Sequence, residues 1–433
     1  MSRIVPVALA TTLVAAGAGL AFVACTGEPA APPTPAPAPV VEAPAAPKVE
    51  GPAPTLFLAE AQFLRGADGK PKPGAALITM WRKEGTSWTS SKLEDPDSNV
   101  FHKALPDGKG GFYTIGAEQA FLKHWTKKDG AWAGEGLWNP KWEGKFNRVR
   151  DVEIGDVTGD GKDDIVMATH DSGVIGVGSW NAEGKLEVTE LRKQPDTFIH
   201  EVEICDIDGD GKKEFFATPS ARNQSSGKSQ PGQVVMYQFN EAQPVGKQWE
   251  ETMLDDFTDS HAKEILCADV DGGGPAEFFS VVEAATALEG DKAVVKHPVE
   301  IRQYRFKGSK VEHTVVATID DKQNRFLIPG DFDKDGKTDL IAAAMKTGLW
   351  FLTQTPEGGW TSTNFETNSS GFEHASWAAD LDGNGELELY VAADDQRELR
   401  QYTWNAASKT FDKALIGRIA DDTITWNITS GMF

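Results

Sequence analysis

The stretch that decides the fold is "DIDGDGKKEFF", residues 206–216. It places acidic residues at alternate positions and then runs into two phenylalanines. Carboxylates this close repel one another unless a cation lies between them. The alternation therefore predicts a cation-binding loop, and the aromatic pair predicts the start of a buried β-strand.

The same eleven-residue pattern occurs five times. Its copies begin at Asp156, Asp206, Asp269, Asp331 and Asp380, which gives spacings of 50, 63, 62 and 49 residues. Such spacings are typical of propeller blades with loops of variable length. The sixth position is glycine in every copy, where a tight loop is expected to need a positive φ. The ninth position is acidic, and two large apolar residues follow it.

Seven hairpin-like segments lie between these loops, from "ALITMWRKEGTSWTSSKL" (76–93) to "RELRQYTWNAASKTFDKAL" (397–415). Each has an apolar stretch, a turn and a second strand-like stretch. One strand before each loop and one after it bring the total to four strands per repeat. Tryptophans at corresponding hairpin positions are expected to pack between blades: Trp81, Trp125, Trp180, Trp350 and Trp404.

The sequence therefore predicts an all-β protein, a seven-bladed β-propeller over residues 55–433. The acidic loops would lie between the first and second strands of the blades. The last strand, "TITWNITSG" (423–431), would complete the blade that "TLFLAEAQFL" (55–64) begins, and would thereby close the ring. The second repeat keeps a degenerate loop, "KALPDGKGGFYTIG" (103–116), that has lost most of its acids.

The chemistry of the loops favours calcium. They offer hard carboxylate and carbonyl oxygens, and no Cys or His stands at the ligand positions, so zinc and copper fit poorly. Calcium accepts irregular oxygen shells, whereas magnesium prefers octahedra and retains its waters. An EF-hand is excluded because position twelve is never Glu. A solvated acidic turn without metal is the alternative.

These residues resemble the FG-GAP/VCBS repeat, the repeat of the integrin alpha-chain head and of many bacterial surface proteins. The resemblance covers residues 55–433 and implies about five calcium sites. The Asp269 loop would be the weakest, since Gly273 replaces the acid at its fifth position. The predicted metal ligands are Asp156, Thr158, Asp160, Asp164, Asp206, Asp208, Asp210, Glu214, Asp269, Asp271, Glu277, Asp331, Asp333, Asp335, Asp339, Asp380, Asp382, Asn384 and Glu388.

A basic residue stands six positions before the first aspartate of each loop. These residues are Arg150, His200, Lys263, Arg325 and His374, and His261 lies near Lys263. Six strand residues span about 20 Å, so these groups should lie around the channel mouth at the end away from the loops. They would bind an anionic ligand or polysaccharide there. Alternatively, they pair with acids that follow them in the sequence, namely Asp151, Glu201 and Glu264.

The N-terminal region reads as a lipoprotein leader. Residues 1–24 form a predicted signal peptide, with Arg3 followed by an apolar run. "FVAC" (22–25) resembles the bacterial lipobox and implies a lipidated Cys25 as the membrane attachment. An uncleaved anchor and plain secretion are the alternatives. Residues 25–54 form a Pro/Ala-rich linker, which is expected to extend as polyproline II.

Composition narrows the choice of partners. Without residues 1–24, which carry only Arg3, the chain has 42 basic and 65 acidic residues and a net charge of −23, which argues against nucleic acid. Cys205 and Cys267 precede the acidic loops of successive repeats. A disulfide between them is possible, and a buried reduced pair is favoured.

Three functions are compatible with these features. The first is a non-catalytic, monomeric lipoprotein of the cell envelope that binds a protein or glycan through one propeller face. It would be anchored in the outer membrane or exposed at the surface, or be periplasmic or secreted if the lipobox is not used. The second is a polysaccharide lyase that uses the channel-mouth His and Arg on a uronate. The third is a scaffold without a small ligand.

Overall fold

The structure is a computed structural model that describes residues 51–66, 69–142, 147–222, 230–290, 292–307 and 310–433. The predicted signal peptide, Cys25 and linker residues 25–50 lie outside these ranges. Within them, regular structure is β-strand apart from one 3₁₀ turn, Asp394–Gln396. In the same ranges, no helix is long and apolar enough to cross a membrane.

The described residues form thirty strands, numbered here in chain order. The first eleven are β1 (Pro54–Arg65), β2 (Pro71–Glu84), β3 (Ser87–Asp95), β4 (Phe101–Pro106), β5 (Phe112–Gly116), β6 (Leu122–Lys128), β7 (Ala131–Trp138), β8 (Val149–Gly155), β9 (Asp164–Thr169), β10 (Ile175–Trp180) and β11 (Leu186–Arg192). The next ten are β12 (Thr197–Cys205), β13 (Glu214–Ala221), β14 (Gly232–Phe239), β15 (Trp249–Phe257), β16 (Ala262–Ala268), β17 (Glu277–Val282), β18 (Ala285–Glu289), β19 (Lys292–His297), β20 (Val299–Lys307) and β21 (Lys310–Ile319). The last nine are β22 (Asn324–Gly330), β23 (Asp339–Ala344), β24 (Gly348–Gln354), β25 (Trp360–Glu366), β26 (Ser376–Ala379), β27 (Glu388–Ala393), β28 (Glu398–Asn405), β29 (Thr410–Arg418) and β30 (Thr423–Met432).

The strands described here form seven four-stranded antiparallel sheets, the blades, and one two-stranded hairpin. From the axis outwards, the blades are β30-β1-β2-β3, β4-β5-β6-β7, β8-β9-β10-β11, β12-β13-β14-β15, β16-β17-β20-β21, β22-β23-β24-β25 and β26-β27-β28-β29. We call these blades 1 to 7. Each innermost strand contacts the innermost strand of the next blade, from β4 round to β30 and back to β4. The predicted all-β, seven-bladed β-propeller is confirmed.

Burial explains why the strands differ in composition. The second strands β9, β23 and β27 are buried along their whole length, because neighbouring blades cover both of their faces. They accordingly read as continuous apolar runs such as "DIVMAT" and "DLIAAA" rather than as alternating patterns. The outer strand β11, "LEVTELR", is partly exposed throughout and carries polar residues.

The hairpin tryptophans pack between blades, as the sequence predicts. Each lies against an apolar cluster that joins two adjacent blades. Trp81 of blade 1 packs so closely on blade 7 that a Cβ atom at Gly417 would lie 2.1 Å from its ring. A side chain at Gly417 would therefore separate the two blades.

Blade 1 combines the two ends of the described chain. Strand β30 pairs with β1 in antiparallel register from Pro54 opposite Met432 to Gln62 opposite Thr423. The last strand thus supplies the innermost position of the first blade. Without β30, the inner edge of β1 would be unpaired. With it, β30 contacts β26 of blade 7 and β4 of blade 2 and closes the ring.

Blade 5 carries an insertion that the repeat pattern does not predict. The hairpin β18–β19 stands between the second and third strands, β17 and β20. First-to-second connections hold the acidic loops, so second-to-third connections lie on the opposite face of the propeller. We call that face the insertion face.

The favoured reduced state of Cys205 and Cys267 is wrong. The two residues form a disulfide, with their Cα atoms 6.2 Å apart. Cys205 ends β12 and Cys267 is the penultimate residue of β16, and these innermost strands contact each other in adjacent blades. Contact between the strands brings the two cysteines within the range of a disulfide.

Loss of this disulfide should destabilise the ring. The bond closes a loop with a sequence separation of 62 residues. Loop-closure entropy then gives a stabilisation of about 4 kcal/mol. We expect the Cys205→Ala/Cys267→Ala variant to lose about this much free energy of unfolding in urea titrations. A reductant should produce the same loss in the wild type and none in the variant. Equal stability of oxidised and reduced wild type would contradict the prediction.

Candidate functional site

The acidic loops occupy one end of the propeller. In all five, the first aspartate directly follows an innermost strand and the acid at position nine opens the second strand. In the Asp206 loop, Asp206 accepts hydrogen bonds from the N–H groups of Gly209 (2.7 Å) and Gly211 (2.9 Å). Glu214 accepts one from the N–H of Ile207 (3.2 Å). The bond from the position-two N–H to the position-nine carboxylate recurs in the other four loops.

The glycine prediction holds in four of the five loops. Gly161, Gly211, Gly336 and Gly385 have φ between +81° and +87°. Gly274 does not have a positive φ, so the prediction is wrong there. The N–H of the sixth residue bonds to the first aspartate in the other four loops, whereas Asp269 accepts the N–H of Gly272 instead. This difference explains why Gly274 needs no left-handed turn.

Four loops bring three carboxylates together. Among the described residues, these groups have potential ligand atoms within 4.8 Å of one another: Asp206, Asp208 and Asp210; Asp269, Asp271 and Glu277; Asp331, Asp333 and Asp339; Asp380, Asp382 and Glu388. The loop that begins at Asp156 forms no such group in the described part of the chain. There, both oxygens of Asp164 accept side-chain hydrogen bonds, from Ser179 Oγ (2.5 Å) and from Thr158 Oγ1 (3.0 Å).

The fifth-position side chains shape the turns. Each accepts a hydrogen bond from the N–H of the seventh residue, at 2.6 to 2.9 Å: Asp160, Asp210, Asp335 and Asn384. They are exposed at the loop tips. This bond uses one carboxylate oxygen of Asp160, Asp210 and Asp335 and leaves their second oxygen outside it.

The four gathered loops fit a hard cation. Burial, followed by the charges of Asp333 and Asp335, raises the pKa of Asp339 to about 7. Burial also raises the pKa values of Glu214, Glu277 and Glu388, the position-nine acids of the other three. Among the described residues, Asp331 Oδ1 is buried without a hydrogen-bond partner. A bound calcium ion would satisfy this oxygen and keep the acids ionised.

The predicted basic residues coincide with irregularities of the innermost strands. The strand register shifts around Arg150, His200, Lys263 and Arg325, and also around His102 of blade 2 and Trp426 of blade 1. In blade 7, His374 has φ +60° just before β26. Such bulges redirect a side chain out of the regular alternation. We call these seven residues the bulge ring.

Ion pairs close the channel at the bulge ring. Arg150 of blade 3 lies 3.1 Å from Glu373 at the start of blade 7, across the axis. Arg325 lies 3.8 Å from Glu373 and 3.2 Å from Glu283. Lys263 lies 3.9 Å from Glu283. All five side chains are at most 7% exposed, so this charge network is a buried floor rather than an open basic patch.

The paired acids differ from those that the sequence suggests. Arg150 and Arg325 pair with Glu373 and Glu283, not with Asp151, Glu201 and Glu264. The three predicted partners instead line a cavity above the floor. That part of the prediction is wrong, because an acid that follows a bulged residue points along the channel wall and not back at the bulge.

The predicted histidines are buried and neutral. His374 bonds to Ser369 Oγ through Nε2 (2.7 Å) and to the Ala344 carbonyl through Nδ1 (2.7 Å). His200 bonds to Ser220 Oγ (3.2 Å), and His261 lies 3.9 Å from Glu283. Burial lowers the pKa of His374 to about 4 and holds those of His200 and His261 well below their usual value. Ligand binding by these histidines stays a prediction.

Above the floor lies an axial cavity of about 410 Å³. Acids of blades 3, 4 and 5 line one side: Asp151, Glu153, Glu201, Glu203 and Glu264. Apolar side chains of blades 5, 6, 7 and 1 line the rest: Leu266, Phe326, Ile328, Trp377 and Trp426. The cavity is therefore acidic along blades 3 to 5 and apolar around the remainder of its wall.

The wall acids are only partly compensated. Lys103 lies 3.0 Å from Asp151 and 2.5 Å from Glu153. Burial alone would lower the pKa of Lys103, but the charges of Asp151, Glu153 and Glu201 raise it well above its usual value. Burial and the neighbouring acids raise the pKa values of Glu201, Glu203 and Glu264 well above the usual range. These three acids therefore favour a cation or a proton beside them.

Four residues of this region were missed from the sequence. His102 could have been found, because it stands five residues before Asp107 of the degenerate second loop. Trp426 lacks an acidic loop after it, so no spacing marks it. Glu283 and Glu373 lie in connections outside the repeat register, and no repeat signal points to them.

The repeats have a recognised family counterpart. A family model described as an FG-GAP-like repeat matches residues 156–217 and 331–391. The chain is a β-propeller that contains FG-GAP-like repeats over these two segments. No curated protein matches the sequence of this FG-GAP propeller significantly.

Solved structures share the fold of this FG-GAP propeller at low identity. A protein from Lactobacillus plantarum is 11% identical with a TM-score of 0.55, covering 88% of this chain and 99% of its own. The periplasmic gluconolactonase of Pseudomonas aeruginosa is 10% identical with a TM-score of 0.51, covering 87% and 99%. Cobalt-substituted ACO of Synechocystis is 12% identical with a TM-score of 0.53, covering 89% and 94%. These likenesses show the fold alone.

Proposed function

We propose that the protein is a calcium-stabilised, non-catalytic lipoprotein of the cell envelope that binds a protein or glycan through its insertion face. Cys25 would carry the lipid and residues 25–54 would hold the propeller away from the membrane. The mature chain would act as a monomer and would not bind nucleic acid. Mass spectrometry of the mature N-terminus tests the lipidation.

Calcium in this proposal is supported by the acidic loops. Four of them gather three carboxylates each, among the described residues. Asp206, Asp269, Asp331 and Asp380 would each contribute the first ligand of a site. Their bound ions would supply no chemistry to a substrate, since they would lie in the loops and not at the channel floor.

The observation that carries the binding role is the insertion face itself. Insertions in repeat proteins gather on the face that binds partners. The hairpin β18–β19 exposes Leu288 (45%) and Val295 (40%) there. Phe372, 45% exposed, lies near the axis on the same face, with its ring 5.4 Å from the Arg325 guanidinium and 6.0 Å from Trp426. Exposed apolar side chains of this kind favour a protein partner over a glycan.

A non-catalytic role is supported by the state of the basic groups. Arg150, Arg325 and His374 would serve a lyase, yet each is at most 7% exposed and contacts protein groups. Both arginines are paired with carboxylates in a buried floor, which a long polymeric uronate reaches less readily than a small ligand does.

Binding by matched variants tests the proposal. Leu288→Asp/Val295→Asp places charge on the insertion face, and Val245→Asp places it on a 93% exposed turn at the opposite end. We expect an envelope protein or arrayed glycan to be retained by the wild type and the Val245 variant and lost by the hairpin variant. Equal retention by all three, or by none, would overturn the insertion-face assignment. An increase in ultraviolet absorbance with uronate polymers would overturn the non-catalytic role.

A further inference from the structure

The axial cavity carries a second, separate inference. Its floor and its walls have opposite electrostatic character. At the floor, three cations, Arg150, Arg325 and Lys263, share two carboxylates, those of Glu373 and Glu283. Glu201, Glu203 and Glu264 face the cavity from the wall without a cationic side chain in an ion pair among the described residues. One small ligand with both charges would complement both regions.

The floor also holds an unused donor. His102 lines the cavity, is 1% exposed, and has no hydrogen-bond partner at Nε2 among the described residues. Its Nδ1 lies 3.4 Å from the Arg150 guanidinium, which can only donate, so the proton of the neutral ring belongs on Nε2. A buried donor of this kind costs free energy unless an acceptor reaches it. A carboxylate at the floor would supply that acceptor.

Three wall acids link neighbouring blades and still keep one carboxylate oxygen free of these links. Asp151, Glu203 and Glu264 each accept an N–H from the innermost strand of the next blade, at 3.0 to 3.2 Å. Each such bond uses one carboxylate oxygen. Glu201 accepts no N–H of this kind among the described residues, and its pKa is raised by burial and by Asp151 and Glu264. An ammonium group beside Glu201 would relieve this repulsion.

The order of floor and wall along the strands restricts the ligand. Arg150 precedes Asp151 on β8, and His200 precedes Glu201 on β12, so the acidic wall begins one residue above the bulge ring. One strand residue rises about 3.3 Å, so floor and wall are neighbours along the channel and suit a short zwitterion, whose two charges are also close together. Leu266, Ile328 and Trp377 lie further along the cavity, where an aliphatic side chain would pack.

We propose that the axial cavity binds a small zwitterion, an α-amino acid with an apolar side chain. Its carboxylate lies at the floor against Arg150 and His102, and its ammonium group lies against Glu201. Its side chain extends along the apolar wall. A volume of about 410 Å³ lies within the range of small-molecule sites. This site is distinct from the insertion face and does not depend on a partner there.

Three ligands of similar shape test the two charged contacts one at a time. L-Leucine carries both groups, 3-methylbutylamine lacks the carboxylate, and 4-methylpentanoate lacks the amine. Calorimetric titration of the calcium-loaded full chain in amine-free buffer should give leucine an affinity about tenfold or more above either analogue. Equal binding of the amine would overturn the floor contact, and equal binding of the carboxylate would overturn the Glu201 contact. No binding of leucine up to about 10 mM would overturn the site itself.

A matched pair of variants locates the site. Glu201→Gln keeps shape and removes charge, and Glu386→Gln does the same in an exposed loop. We expect Glu201→Gln to weaken leucine binding about tenfold or more and Glu386→Gln to leave it unchanged. Thermal melting checks that both variants fold. If Glu201→Gln does not fold, Phe326→Ala provides a second variant, in the apolar part of the wall. The hairpin variant Leu288→Asp/Val295→Asp should bind leucine normally, so failure on the insertion face and failure in the cavity are distinguishable. Unchanged leucine affinity in a folded wall variant would overturn the proposal.

Discussion

Removal of calcium is expected to lower the melting temperature of the propeller by about 10–15 °C. Each site stabilises the fold by about 2.7 kcal/mol when free calcium is 100-fold above its dissociation constant. Four occupied loops would thus contribute about 11 kcal/mol, which corresponds to this shift for a domain of roughly 380 residues. Thermal scans with and without a chelator measure it, and added calcium should restore the original value.

Variants localise the effect to single loops. The variant Asp331→Asn/Asp333→Asn should reduce the calcium-dependent part of the free energy of unfolding by about 2.7 kcal/mol, which is the contribution of one site. Asp163→Asn, an exposed acid at a non-ligand loop position, should leave that part unchanged. The Asp156 loop, and not the Asp269 loop as the sequence suggests, should contribute least, because Ser179 and Thr158 already bond to Asp164 whereas the Asp269 loop gathers three carboxylates. Identical melting with and without the chelator would contradict a stabilising role for calcium.

Replacement of Glu373 is expected to be the most damaging single substitution. Glu373 is 2% exposed and faces both Arg150 and Arg325. Glu373→Ala leaves these guanidinium groups buried with one carboxylate fewer, which typically costs about 3–5 kcal/mol. Urea unfolding should show the loss as a lower midpoint.

An exposed ion pair provides the control. Glu386 lies 2.7 Å from Lys334 at the surface, where both side chains are at least 42% exposed. Glu386→Ala should cost less than about 1 kcal/mol. If Glu373→Ala costs no more than this control, the charge network does not hold blades 3, 6 and 7 together.

Local signals predicted the architecture. The fixed spacing from Asp206 to Gly211 and Glu214 repeats with the blades, so it reports both the loop and the buried strand after it. The hairpin tryptophans repeat in the same register, which is why their packing between blades was predictable. The number of blades followed once the first and last strands were assigned to one sheet.

The channel was less predictable because its contacts cross between repeats. Glu373 meets Arg150 from blade 3, more than 200 residues away in the chain. No period links such residues, and a one-residue bulge decides whether a side chain joins the floor or the wall. Cys205 and Cys267 likewise meet only because β12 and β16 are neighbours in the ring. Sequence spacing predicts the strands of each blade. Which side chains contact each other at the axis depends on how the blades are arranged in the closed ring.

The position of β30 fixes the order in which the ring can assemble. Its ten residues form the last strand described, yet they occupy the innermost place of blade 1. The circle can therefore shut only after Thr423–Met432 have been synthesised and released. A chain truncated before Thr423 would retain six intact sheets and expose the bare edge of β1, which invites pairing with another copy. Proteolytic loss of β30 would therefore convert a closed toroid into an aggregation-prone arc.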